Sequence, residues 1–321
     1  MQQVREVLEA RQVAIYFGVI AVGGFVGLIV SDAGALEVVI NPALAVMLFV
    51  TFLQVPLTEL GAALRNTRFL GALLVTNFLV MPVVTAVLVQ FLPDDPMLRL
   101  AVLLVLLTPC IDYVVTFTHL GRGDARLLLA ATPALLLLQM VLLPAYLRLL
   151  LGRDASGLIQ PGPFIHAFVW LIAAPLVLAG TVQSWAARTK SGVRAATILG
   201  LFPVPATALV LFLVLASVVP RISEAGGAAL TVAPFYVAYA ILAPVIGWLI
   251  ARNLRLEPAA MRAVSFSAAT RNSLVVLPLA FAVPGGVPLL PAVVVTQTII
   301  ELVSELLYVR WIPCLPARPG A

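Results

Sequence analysis

Ten long apolar segments follow one another along this chain, and they constrain its fold more than any other feature. A helix needs about 20 mostly apolar residues to cross a bilayer. Because lipid offers no water to backbone polar groups, such segments must be helical. We therefore predict an all-α polytopic membrane protein with ten transmembrane helices. The predicted spans are 12–30, 41–60, 69–92, 97–119, 127–151, 165–185, 195–219, 232–250, 260–281 and 288–311.

The composition excludes a soluble domain. The chain is 62% hydrophobic and 10% charged, whereas soluble domains carry roughly 45–50% apolar and about 25% charged residues. Its net charge of +5 does not indicate a nucleic-acid partner, because the basic residues lie in the loops that connect the spans. The partners we expect are the lipid bilayer and a small solute.

The sequence offers no pattern for a metal, a cofactor or catalysis. Cys110 and Cys314 lie far apart, so we expect no disulfide and no zinc site. No serine–histidine or paired-aspartate arrangement occurs at membrane depth, and we therefore expect no enzymatic activity. The polar N-terminus runs into the first span without a cleavage site, so no removable signal peptide is expected.

The distribution of Lys and Arg predicts the orientation in the membrane. With a cytoplasmic N-terminus, 14 of the 19 Lys and Arg residues lie in inside segments and four in outside segments, while Arg271 falls within the ninth span. We therefore expect a multi-pass protein of the cell membrane with both termini cytoplasmic.

An offset of 162 residues relates the two halves of the chain. It places Pro82 on Pro244, Pro109-Cys110 on Arg271-Asn272, and Gln139 on Glu301. Five spans per half is an odd number, so the repeats 1–160 and 161–321 must have opposite orientations. Inverted repeats of this kind are typical of secondary transporters that bind their substrate near the midplane.

The run Thr108–Asp112 interrupts the fourth span with a proline, a thiol and an acid. Proline removes a backbone hydrogen bond, and a broken helix is tolerated in a membrane only where it lines protein or water. In the ninth span, small and polar residues cluster over 266–273, including Asn272 and Ser273. We predict that both helices break here and cross, so that helix ends converge on a solute. The alternative is ordinary helix packing through small residues.

Ionisable groups in the spans are candidates for a coupling network. Arg271 either neutralises Asp112 or Glu301, or contacts an anionic substrate. Glu301 and Glu305 share a helix face, one turn apart. We expect Glu305 to reach water near the cytoplasmic end and Glu301 to be the better proton-coupling group.

Several uncharged side chains could contact the substrate. Cys110 follows the proline of the fourth span, where a thiol near a helix N-terminus can ligate a thiophilic solute, although a lone membrane cysteine is more often a packing residue. Asn77, Gln139 and Tyr113 could supply hydrogen bonds or serve as helix–helix contacts.

These residues carry a family resemblance. Pro109-Cys110, followed by Val114, Leu120, Gly123 and Asp124, resembles the fourth-span signature of the arsenical-resistance-3 type arsenite permeases. These permeases share a superfamily with the bile acid:sodium symporters. The segment 267–272 is similar to the unwound part of that family's ninth span, and Asn77 with Pro82 is similar to its third.

The resemblance implies export of trivalent arsenic with Cys110 required for substrate handling. It also implies proton antiport and a core domain (spans 3–5 and 8–10) that moves against a panel domain (spans 1, 2, 6 and 7). In this hypothesis Cys110, Pro109, Asn77, Arg271, Asn272 and Ser273 bind substrate. Asp112, Arg271, Glu301 and Gln139 form the coupling network.

Two features leave other functions open. The acid that the permeases carry after the paired asparagines of the ninth span is absent here, and Asp112 stands where they have a small neutral residue. The main alternative is a sodium- or proton-coupled transporter of small organic anions, with Arg271 holding a carboxylate. A sensor that binds solute without transport is a third possibility.

Overall fold

The computed structural model describes residues 2–29, 34–55, 66–111, 113–152, 161–219 and 222–316. These residues are mostly helical, without a β-strand among them, as the all-α prediction requires. The helices are, in chain order, α1 (Gln2–Ile29), α2 (Gly34–Phe52), α3 (Thr67–Val75), α4 (Met81–Val89), α5 (Pro96–Leu106), α6 (Tyr113–Leu120), α7 (Ala125–Leu151), α8 (Pro161–Ala167), α9 (Ala174–Ala186), α10 (Lys190–Leu199), α11 (Pro203–Val218), α12 (Ile222–Asn253), α13 (Pro258–Ala269), α14 (Ser273–Phe281) and α15 (Leu289–Trp311). Short π-helical turns at Thr76–Val80 and Phe168–Ala173 join α3 to α4 and α8 to α9.

Seven helices in the described ranges are long and apolar enough to cross a membrane. They are Ala10–Ile29, Thr67–Val89, Ala125–Leu151, Ile165–Ala186, Lys190–Ser217, Gly227–Asn253 and Leu289–Cys314. They correspond to predicted spans one, three, five to eight and ten. Spans four and nine are each divided into two shorter helices, and span two runs into residues 56–65, outside the described ranges. A polytopic membrane protein is supported, and the number ten stays a prediction.

The chain divides into two compact units. The first comprises Met1–Gln54, Ile159–Gly227 and Leu277–Ala292. In it α1 packs against α11 with Gly23 at the contact, where an added Cβ would lie 3.0 Å from the Phe212 carbonyl oxygen. The amide of Gln183 donates to the carbonyl oxygens of Phe52 and Leu53, at 3.3 and 3.1 Å, and so satisfies acceptors left free where α2 ends.

The second unit comprises Val55–Leu158, Ala228–Val276 and Val293–Ala321. Among the prolines of its helices, Pro82 of α4 and Pro244 of α12 lack the N–H normally donated to the carbonyl four residues earlier. The freed carbonyl oxygens accept hydrogen bonds from tyrosine hydroxyls of other helices: Tyr146 donates to Phe78, and Tyr308 donates to Ala240. The two prolines, the two carbonyls and the two tyrosines are each 162 residues apart.

The turn between α6 and α7 packs closely on α13. At Gly123, an added Cβ would lie 2.7 Å from the side chain of Thr118 and 3.2 Å from the backbone nitrogen of Ala263. The Asp124 carboxylate accepts a hydrogen bond from the N–H of Leu127 (3.0 Å) and caps α7. Its own N–H donates to the Ala259 carbonyl at 2.9 Å. Part of the sequence resemblance therefore rests on residues with local structural roles.

Candidate functional site

The fourth span is interrupted where the proline predicts a break. Helix α5 begins at Pro96, capped by the Asp95 carboxylate, and ends at Leu106. The Thr108 hydroxyl turns back toward the carbonyl oxygens of Leu104 and Val105, at 3.1 and 2.9 Å, in the last turn of α5, and the Thr108 N–H also donates to Val105 at 3.2 Å. The chain resumes as α6 at residue 113. Asp112 lies outside the described residues.

The ninth span is interrupted without a proline at the break. Helix α13 ends at Ala269, and Thr270 is extended, with φ −95° and ψ 126°. Helix α14 begins at Ser273, and the side-chain oxygen of Asn272 lies 3.4 Å from the N–H of Val275 in its first turn. Asparagine is a favoured residue at this position because it satisfies an amide that has no partner within the helix.

The two breaks lie side by side and antiparallel. The N–H of Cys110 donates to the Thr270 carbonyl at 3.1 Å, and the N–H of Asn272 donates to the Thr108 carbonyl at 2.8 Å. Pro109 and Arg271 face each other in the resulting bridge. Backbone groups that would be costly to leave unpaired at this depth therefore satisfy one another.

Arg271 is fully buried, and its guanidinium binds oxygens at the end of α13. Nη2 donates to Asn77 Oδ1 (2.7 Å), to the Ser267 carbonyl (2.8 Å) and to the Ala268 carbonyl (2.7 Å). The guanidinium carbon also lies 5.5 Å from the centre of the Tyr239 ring. Carbonyls in the last turn of a helix carry partial negative charge, so Arg271 caps α13 with its own side chain. Among the described residues no carboxylate forms an ion pair with this guanidinium.

Glu301 connects both breaks through its carboxylate. Oε2 accepts hydrogen bonds from the backbone N–H of Arg271 and from Nε2 of Gln297, both at 2.6 Å. Oε1 accepts a hydrogen bond from the Tyr113 hydroxyl, at the start of α6. Arg271 and Glu301 are thus joined, but through the backbone of the arginine rather than its charged group.

Glu305 does not reach water, and the sequence-based expectation for it is wrong. Its side chain is fully buried, and Oε1 lies 2.5 Å from the hydroxyl of Thr270 in the ninth-span break. Helix α15 continues past it to Trp311, so Glu305 lies more than a turn before the helix end. Its hydrogen-bond contact, with Thr270, lies within the second unit.

The remaining candidates are buried, but only some of them belong to one cluster. Asn77 donates through Nδ2 to Ser267 Oγ at 3.0 Å and so lies between the third and ninth spans. Ser273 pairs with Thr298 at 2.9 Å. Cys110 is fully buried and not in a disulfide, and Cys314 is exposed. Gln139 is buried without a hydrogen-bond partner for either amide atom among the described residues, so it makes no hydrogen bond to the coupling candidates there.

Sequence reasoning missed three contributors to this cluster. Thr270 stands at the junction of Cys110 and Glu305, and Gln297 lies one turn before Glu301 on the same helix face. The four-residue spacing of Gln297 and Glu301 predicts that the two side chains are neighbours, so the sequence could have revealed this contact. Tyr239 is brought to Arg271 by tertiary packing, and no local pattern marks it.

A small cavity of about 10 Å³ lies beside Glu301, with room for one water molecule. Its lining includes Tyr236, Tyr239, Gln297 and Tyr308. The Tyr236 hydroxyl and Gln297 Oε1 lack protein partners in the described part of the chain, so the cavity is polar enough to hold that water. No group of three or more His, Cys, Asp or Glu side chains there is arranged to hold a metal ion.

Comparison with known protein families gives the chain a family. The sodium bile acid symporter family matches residues 41–225, which is more than half of the sequence. The matched range runs from the second through the seventh predicted span, so it includes the fourth-span break and ends before the ninth. Comparison with curated protein sequences returned no significant match.

Proposed function

Since the chain belongs to the sodium bile acid symporter family, we propose that it is a secondary active transporter that exports arsenite or a related trivalent metalloid by proton antiport. Membership of the family makes it a multi-pass membrane transporter. The metalloid, the proton and the direction of flux are the proposal, and each has separate support.

The position of Cys110 carries the proposal for a metalloid substrate. The thiol lies in the fourth-span break, next to a backbone bridge to the ninth span and just before the N-terminus of α6. A helix N-terminus favours the thiolate form, and thiolates bind soft, thiophilic centres such as trivalent arsenic. Because Cys110 is fully buried here, the break must open during the transport cycle to load substrate.

The environment of Arg271 supports the proton over sodium as the coupling ion. Unwound backbone carbonyls at a broken helix are the groups with which secondary transporters coordinate Na⁺. In this chain Asn77 Oδ1 and the carbonyls of Ser267 and Ala268 surround a guanidinium nitrogen instead. A covalently attached cation therefore fills this oxygen cluster, and it cannot be exchanged during transport.

The same contacts weigh against organic anions as substrate. A carboxylate substrate would need N–H groups of Arg271 that face a cavity. Nη2 already makes three hydrogen bonds, and Nη1 lies 3.4 Å from the Leu106 carbonyl oxygen. Only Nε lacks a protein partner within the described ranges, and the side chain is fully buried.

We also propose the inverted repeat, 1–160 and 161–321, as the basis of alternating access. It is supported by the 162-residue offset, which relates Phe78 and Tyr146 to Ala240 and Tyr308. The same offset relates the donor Cys110 to the donor Asn272 in the paired breaks. A sequence repeat that reproduces three-dimensional contacts is stronger support than matching residue types.

The panel and core domains are proposed on the two compact units. The first unit contains the predicted spans one, two, six and seven, together with residues 277–292. The second contains spans three to five, eight and most of ten, with the first part of nine. All the contacts of Arg271, Glu301 and Glu305 described above fall within the second unit. We place the protein in the cell membrane with both termini cytoplasmic, on the distribution of Lys and Arg.

Expression in arsenite-sensitive cells tests the proposed substrate. The wild-type protein should confer resistance, Cys110→Ser should remove it, and Cys314→Ser should retain it, since Cys314 is exposed and remote in sequence from the breaks. Membrane levels of all three are compared by quantitative blotting. Equal sensitivity of cells with and without the wild-type protein, at confirmed membrane expression, contradicts the proposal.

A further inference from the structure

The Thr270 hydroxyl makes two close contacts but has only one proton to donate. Its Oγ1 lies 2.7 Å from the Phe266 carbonyl oxygen and 2.5 Å from Glu305 Oε1. A carbonyl oxygen can only accept, so the hydroxyl either donates to Phe266 or shares its one proton between both oxygens, as the Thr108 hydroxyl does between two carbonyls. A proton on the Glu305 carboxyl group, with Thr270 as its acceptor, makes each contact a separate hydrogen bond.

The surroundings of Glu305 agree with a neutral acid. The side chain is fully buried, and Oε2 has no hydrogen-bond partner among the described residues. No cationic side chain in those ranges pairs with it, and a buried carboxylate without such a partner is strongly disfavoured. Its titratable neighbours are Glu301 and Tyr308 on α15 itself, with Tyr239 of α12 beside Tyr308. The charge of Arg271 is directed to Asn77 and the end of α13.

Glu301, one turn away, has the opposite hydrogen-bond pattern. Its two oxygens accept from the Tyr113 hydroxyl, the Arg271 N–H and Gln297 Nε2. Three donors and no acceptor fit an ionised carboxylate. The two acids of α15 therefore differ in their partners: three donors reach the carboxylate of Glu301, whereas Oε2 of Glu305 has no partner among the described residues.

Thr270 connects Glu305 to the thiol of the fourth span. Its side chain contacts Glu305, while its backbone carbonyl accepts the hydrogen bond of Cys110 N–H at 3.1 Å. We propose that Glu305 is the proton-binding site of the carrier and that Thr270 is the positioning residue that links it to Cys110. A substrate bound at Cys110 displaces Thr270, Glu305 loses its hydrogen-bond acceptor, and its proton passes to water. A proton from the opposite side of the membrane replaces it in the return step. This coupling role rests on the proposed function, whereas the protonation of Glu305 does not.

Infrared spectroscopy of the purified protein tests the protonation without any substrate. A protonated carboxyl group has a C=O stretching band that an ionised one lacks. We expect this band at neutral pH in the wild type, its loss in Glu305→Gln and its retention in Glu301→Gln. Glutamine has the shape of the neutral acid, so Glu305→Gln should fold. Thr270→Val and Thr270→Ser provide a second comparison: the band should shift in the valine variant, which loses the acceptor, and stay in place in the serine variant.

Proteoliposome transport tests the coupling. For arsenite, the ratio of proton-gradient-driven flux to substrate exchange should fall about tenfold or more in Glu305→Gln, within the usual range of coupling between linked sites. A band that survives in Glu305→Gln, or that vanishes in Glu301→Gln, overturns the proton site. An unchanged flux ratio in Glu305→Gln overturns its role in coupling. If the wild type moves no arsenite but the infrared band behaves as expected, the proposed substrate fails and the proton site stands.

Discussion

Nη2 of Arg271 lies 2.7 Å from Oδ1 of Asn77, a residue 194 positions earlier in the chain. Both side chains are fully buried, and the contact joins the third predicted span to the break in the ninth. The same nitrogen binds two carbonyls at the end of α13. Arg271, the residue whose burial in a membrane costs the most free energy, thus stabilises the backbone at the break through its side chain. This relationship leads to the first two predictions.

Arg271→Ala should destabilise the protein strongly. Removing the guanidinium leaves the Asn77 side-chain oxygen and the Ser267 carbonyl without this donor, whereas the Ala268 carbonyl keeps the Tyr239 hydroxyl at 3.2 Å. Each orphaned buried acceptor costs about 1–3 kcal/mol. Thermal unfolding in detergent measures the loss, and Arg148→Ala, which removes an exposed arginine from the same unit, is the matched control. Equal melting temperatures for the two variants would contradict this account of Arg271.

Arg271→Gln should make the protein sensitive to sodium. Glutamine is shorter and neutral, so it vacates the oxygen cluster that the guanidinium fills, and such carbonyl clusters suit Na⁺. The melting temperature of the wild type should be the same in sodium and choline chloride, whereas that of Arg271→Gln should be higher in sodium. A wild-type protein stabilised by sodium would instead favour the sodium-coupled alternative.

Tyr146→Phe should be destabilising in a way that depends on Pro82. The Tyr146 hydroxyl satisfies the Phe78 carbonyl, which Pro82 leaves without its helical donor. Its loss should lower the free energy of unfolding by about 1–3 kcal/mol. In Pro82→Ala the restored N–H can bind Phe78, so Tyr146→Phe should cost clearly less on that background. Additive effects in the double-mutant cycle would show that the two residues are not coupled.

The same cycle can be run in the second half of the chain with Tyr308 and Pro244. If the inverted repeat is correct, both cycles should give coupling energies of the same sign and similar size. Coupling between the tyrosine and the proline in only one half of the chain would contradict the inverted repeat. Unfolding in denaturant is the common measurement.

Tyr113→Phe should weaken the connection between the fourth-span helix α6 and Glu301. The hydroxyl donates to the carboxylate, and hydrogen bonds to charged groups contribute about 1.5–3 kcal/mol. The ring keeps its edge contact with Phe117, at 6.2 Å between centroids, so packing is retained. Because the partner is Glu301, the loss should be smaller on a Glu301→Gln background, where the acceptor is neutral. If Tyr113→Phe lowers the free energy of unfolding equally on both backgrounds, the Tyr113 hydroxyl does not bind Glu301.

The breaks could be predicted from the sequence, but their partners could not. Pro109 interrupts a helix by a local steric rule, and the offset of 162 residues pointed from it to Arg271 as its counterpart. The ninth-span break has no such proline and was visible only as a cluster of small and polar residues. The partner of Arg271 was out of reach because Asn77 and the α13 carbonyls are brought to it by tertiary packing. Asp112, one of the partners considered, lies outside the described residues.

The surroundings of the two acids of α15, Glu301 and Glu305, could not be predicted from the sequence either. Their spacing predicts a shared helix face, and both are buried in one unit. Distance to the helix end suggested that Glu305 would reach water, but burial depends on the helices that surround α15, which a single helix does not reveal. Likewise, the three hydrogen-bond donors of Glu301 come from three segments of the chain and could not be foreseen, and its role as the proton-coupling group stays a prediction.

Arsenite flux in proteoliposomes tests the central claim most directly. Vesicles containing the wild type, Cys110→Ser or Cys314→Ser are given arsenite or a panel of monocarboxylates, with a proton or a sodium gradient imposed. The account predicts arsenite movement driven by the proton gradient, lost in Cys110→Ser and kept in Cys314→Ser. Carboxylate movement driven by sodium, insensitive to Cys110→Ser, would contradict it.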